Sequence, residues 1–138
     1  MIDSIDVILN MHSVQTMGSH RDEQDRICRG KWYERGGMQV VKYKDDDSGT
    51  IDTMEISSRR VKLRRSGAID AEMEFAAGGS SLFDMVTELG TFNFLVRTTR
   101  VAVGIYEDRL TVALAYDLYA DGALISHNHV DYEVVPEK

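Results

Sequence analysis

The sequence predicts an all-β protein, an antiparallel closed β-barrel of about eight to ten strands. Two observations carry that reading. Apolar and polar residues alternate singly in run after run, the signature of strands with one buried and one wet face. Glycine or acidic turn residues then close the runs, at Gly36-Gly37, Asp45 to Gly49, Gly67, Gly78-Gly79, Glu107-Asp108 and Asp121-Gly122. An open sheet of that many strands would leave two bare edges and an uncovered apolar face, and closure removes both. The 138 residues hold one proline, no linker-like stretch and no fixed-period repeat, so residues 1–138 read as a single domain.

Taken in order, Ile5, Val7, Leu9 and Met11 form one face of a first strand. Val61 with Leu63, and Met73 with Phe75, are the inward pairs of two middle strands, whose neighbours Lys62, Arg64, Glu72 and Glu74 face water. Ser81 to Gly90 is ambiguous. Leu82, Met85, Val86 and Leu89 have helical spacing, Ser81 and Asp84 resemble a capping box, and Gly90 is a fitting helix terminator. Yet Thr91 to Tyr106 directly afterwards is strand-like throughout, with a bulge expected near Gly104 or Thr98-Thr99. The last two strands are plainest: Leu110, Val112, Leu114, Tyr116 and Leu118 share a face, Asp121-Gly122 makes a tight turn, and Leu124, Val130, Tyr132 and Val134 return.

Sixteen basic against 23 acidic residues give a net charge of −7, which disfavours general affinity for nucleic acid. Cys28 is the sole cysteine, so an internal disulfide and paired-thiol chemistry are excluded, and the thiol reads as structural. The opening residues carry Asp3 and Asp6 without a basic cluster or apolar run, so neither a signal peptide nor a membrane span is expected, and a cytoplasmic location is.

The segments GKWYERGGMQVVKY from Gly30, VKLRRSG from Val61, the pair Met73 and Phe75, TELGTFNFLVRTT from Thr87 and LTVALAYDLYADG from Leu110 follow one another in an order that resembles the uncharacterized bacterial YwiB-like β-barrel family. The resemblance covers most of the chain and implies a lipocalin-like barrel, with Leu82 to Thr87 as a strand. Glu88 stands where that family usually has proline, and Met85 where it has an aromatic residue. The family brings no reaction or ligand that could be carried onto particular residues.

Several residues invite chemistry. His127 and His129 share a strand face with Asp131 and Glu133, a set able to hold zinc if a neighbouring strand supplied another ligand. An exposed polar face is the commoner arrangement, so no metal is expected. Arg59, Arg60, Lys62, Arg64 and Arg65 form the one basic run, expected to be balanced by Glu72 and Glu74 on the next strand. Asp45, Asp46 and Asp47 look like turn residues. No nucleophile elbow, phosphate loop or zinc-protease motif occurs, and neither enzymatic activity nor a cofactor is expected.

The interior is the remaining place for function. Ser126 and Asn128 fall within the apolar series of the last strand and must bond each other, water or a guest, while Tyr116 lies on the inward face beside them. Arg97, on the side of Leu95, is expected inward as well, as a plug for one end or as a ligand group. The expected function is therefore binding of a small, partly apolar or anionic molecule by Arg97, Tyr116, Ser126 and Asn128. The alternative is a filled barrel that binds another protein through its outer surface or the 59–65 strand, with the oligomeric state open and a homodimer among the options.

Overall fold

The alternation resolves into ten strands in the computed structural model, which describes residues 3–137. They are β1 (Ile5–Met17), β2 (His20–Arg35), β3 (Met38–Asp45), β4 (Thr50–Ile56), β5 (Arg60–Gly67), β6 (Asp70–Ala76), β7 (Ser80–Thr87), β8 (Gly90–Ile105), β9 (Leu110–Ala120) and β10 (Ala123–Pro136). Each pairs antiparallel with its neighbour in sequence, and β1 pairs with β10, so the meander closes into a barrel.

The segment with helical spacing is strand β7. Ser81, Phe83 and Met85 lie on its inner side, and Leu82, Asp84 and Val86 are exposed outside. Its two-residue turn to β8 is built by Thr87, whose hydroxyl accepts the Leu89 amide at 3.1 Å and donates to the Gly90 carbonyl at 3.2 Å.

Two bulges decide which side chains enter the barrel. In β8, Thr98 pairs with Tyr116 and Arg100 with Ala115, so Thr99 is an extra residue and the inward parity changes across it. Val96 and Thr98 face inward before the bulge, and Val101 and Val103 after it. In β10, Ile125 is the extra residue between Leu124 and Ser126. Leu124, expected to be buried with Val130, is consequently outward and exposed.

Apolar packing fills one end of the barrel, where Val7, Leu9, Ile56, Val61, Leu110 and Val134 are fully buried. Each such side chain contributes about 1.5–3 kcal/mol of burial free energy. Toward the other end the inward positions of β1 turn to Ser13 and Gln15, and those of β2 to Gln24 and Asp22, and packing gives way to a cavity.

Candidate functional site

One inward row crosses four strands through the registered partners Tyr43, Asp52, Arg65 and Ala71. Gly30 stands opposite Tyr43 on β2, where a Cβ would lie 2.4 Å from the Lys42 carbonyl oxygen and 2.9 Å from the Tyr43 Cβ, so only glycine admits this close strand approach. Asp52 is fully buried and accepts a hydrogen bond from Arg65 at 3.2 Å, while its Oδ1 and the Arg65 Nε have no partner. Burial opposes the Arg65 charge, but the Asp52 carboxylate together with the Tyr43 and Tyr132 phenols offsets it and holds the guanidinium pKa above its ordinary value.

A second arginine is held the same way. Arg26 on β2 donates to the buried Asp45 at 2.6 Å, and Asp45 Oδ1 also accepts the backbone amides of Asp47 and Ser48. Asp45 is therefore not the surface turn residue that its acidic neighbours suggest.

Both arginines reach the barrel cavity, about 440 Å³ in volume, whose wall includes Met73, Phe75 and Leu114 on the apolar side and Tyr116, Asn128 and Tyr132 on the polar side. Tyr116 packs on Phe75 with ring centroids 4.8 Å apart. Burial pushes the phenol pKa values of Tyr116 and Tyr132 up, so both hydroxyls stay protonated at neutral pH.

Of the four residues singled out in the sequence, Tyr116 and Asn128 lie on this wall, and Ser126 is buried beside Asn128. Asn128 pairs across the ladder with Tyr116, and its Nδ2 donates to Ser126 Oγ at 3.0 Å, so the two polar groups of β10 bond each other. Arg97 does not join them. It is exposed on the outer face, with its guanidinium 5.3 Å from the centroid of Tyr119, because Leu95, whose side it shares, itself faces outward beside Leu82 while Val96 and Thr98 are the inward residues. The inward arginines are Arg26 and Arg65. The signal for Arg65 was present, since it continues the series Val61 and Leu63 at the same spacing.

Outside the barrel, the charged candidates are engaged locally. His127 Nδ1 lies 2.6 Å from Asp117, and His129 Nε2 lies 3.1 Å from Asp131. Among the described residues no group of three or more His, Cys, Asp or Glu is placed to hold a metal. On the basic strand, Arg60 reaches Glu74 at 3.0 Å and Lys62 reaches Glu72 at 2.7 Å, which lowers the Glu72 pKa. Cys28 is buried, and burial pushes its thiol pKa up, away from the reactive thiolate. A wider hollow of about 760 Å³ runs over the outer face, floored by Ala102, Gly104 and Ala113, but its polar rim is open to water. Among the described residues no helix is long and apolar enough to cross a membrane.

Comparison with known proteins adds the lineage. No curated protein matches the chain. A solved structure, the crystal structure of ywiB protein from Bacillus subtilis, superposes with a TM-score of 0.89 at 16% identity over 99% of this chain and 96% of that one. The family described as Domain of unknown function (DUF1934) matches residues 9–131, and the chain belongs to that family.

Proposed function

We propose that this barrel is a non-enzymatic cytoplasmic binding protein whose half-filled interior takes a small, partly apolar molecule bearing a carboxylate or similar anionic group. The observation that carries the reading is the pair of arginines, Arg26 and Arg65, on the wall of a cavity that is apolar on one side, at Met73, Phe75 and Leu114, and polar on the other. Each is tethered from behind by a buried aspartate, so each guanidinium is positioned before a guest arrives. Asp52 takes one of the five N–H donors of Arg65, which leaves donors for a second acceptor. A volume of about 440 Å³ lies within the range of small-molecule sites. Tyr116 and Asn128 would orient the polar end of the guest, with Met73 and Phe75 against its apolar part.

Native mass spectrometry of freshly purified protein, with titration of the emptied protein by anilinonaphthalene sulfonate, tests this. The expected result is one probe per chain, with affinity lowered at least about tenfold by Arg65→Lys and unchanged by Arg97→Gln. Binding that ignores Arg65, or no binding at all, contradicts the reading.

A further inference from the structure

We propose that two copies of this chain associate face to face through an apolar row on the outer side of β7, β8, β9 and β10. The registered partners Leu82, Leu95, Tyr119 and Leu124 form one unbroken row across these four strands. Leu82 is 82% exposed and Leu124 47%, and the bulge residue Ile125 adds further apolar surface at the end of the row. Single exposed leucines are ordinary on protein surfaces, but a continuous row is not. Elsewhere the outer face carries ion-paired rows such as Arg60 with Glu74 and Lys62 with Glu72.

The charges flanking the row identify the occupant as a second copy. On one side stand Asp84, its partner Asn93 and the turn residue Asp121. On the other stands Arg97, stacked on Tyr119, while the neighbouring Asp117 is held by His127 at 2.6 Å. Among the described residues, Arg97, Asp84 and Asp121 have no ion-pair partner. Asn93 and Arg97 lie two residues to either side of Leu95. A two-fold axis running along the row therefore lays the row on itself and brings Arg97 of each copy over Asn93 of the other, between Asp84 and Asp121. An axis along the strands would instead set Arg97 against Arg97, so the charge pattern selects one arrangement. The shallow hollow of about 490 Å³ beside Leu95 and Tyr119 gives the facing Leu82 side chains room to interlock.

Sedimentation equilibrium of the full chain at about 100 µM is the test. The expected result is a dimer. Leu82→Glu sets two carboxylates face to face on the axis and raises the dissociation constant at least about tenfold. Arg97→Glu also weakens the dimer, and adding Asp84→Arg and Asp121→Arg to it restores the association. All these positions are exposed, so the thermal melt of each variant reports whether its fold is intact. A monomeric wild type, a dimer indifferent to Leu82→Glu, or a failure of the charge swap to restore association would overturn the proposal. Probe binding inside the barrel is unaffected by any of these outcomes.

Discussion

Arg65 and Arg97 sit on strands of the same barrel and differ in the parity of their positions, one facing the cavity and one facing water. Their substitutions should therefore have opposite consequences. Arg65→Met leaves the fully buried Asp52 without its cation, and a buried charge stripped of its partner costs about 3 kcal/mol or more. Arg97→Met removes an exposed stacking contact and should stay within about 0.5 kcal/mol of wild type. Urea unfolding of the two variants compares them directly, and equal losses would mean that the parity is misassigned. His12 offers a second reading at this scale. Its imidazole hydrogen-bonds Asp25 at 2.5 Å and meets Glu23 at 3.0 Å, and the bond to Asp25 raises its pKa above 6.5. A group whose pKa is raised on folding adds stability that is fully present below the unfolded value and is lost as pH rises through the folded one. His12 therefore supports the fold below pH 6.5 and ceases to do so above its own raised midpoint. An NMR titration should place that midpoint above 6.5, and Asp25→Asn should bring it down; a midpoint indifferent to Asp25→Asn would refute the assigned cause.

Strand faces were legible wherever the alternation ran without interruption. The β9 series Leu110, Val112 and Leu114 is inward as its spacing implies, and Tyr116 continues it into the cavity. Alternation fails at bulges because one extra residue reverses every assignment beyond it, and that is how Leu124 exchanged the interior for the surface, whereas Arg97 was placed by Leu95, which faces outward itself. Periodicity alone left Ser81 to Gly90 open, since Leu82, Val86 and Leu89 are apolar for reasons other than burial: all three are exposed. The order of family motifs favoured a strand there. Gly30 makes a prediction proper to an element, because β2 and β3 approach too closely at this point for any side chain. Gly30→Val should lower stability by about 1–3 kcal/mol through overpacking against Tyr43, read as a fall in thermal midpoint. An unchanged midpoint would show that the strands separate there without cost.

For the whole molecule, the proposed binding rests on the division between a filled end and a hollow end, since a barrel either fills its interior with side chains or leaves room for a small molecule. A closed barrel of about eight to ten strands was legible in the sequence, β7 only through the order of family motifs, and Ser126 and Asn128 bond each other, one of the outcomes their inward positions allowed. The buried pairs Arg65 with Asp52 and Arg26 with Asp45 did not emerge, because a charged residue at an inward position looks like surface until its partner on the adjacent strand is known. The seam beside the cavity is also visible only in three dimensions: β6 and β7 share two registered pairs, Asp70 with Val86 and Ala71 with Met85, whereas β5 and β6 share six. This is the shortest ladder in the barrel wall. Two-dimensional amide NMR during titration with a medium-chain fatty carboxylate tests the central claim most directly. Shifts should concentrate on Arg26, Arg65, Tyr116 and Asn128 and be absent from the same titration of Arg65→Lys; shifts confined to the outer face, or none at saturating carboxylate, would contradict an interior binding site.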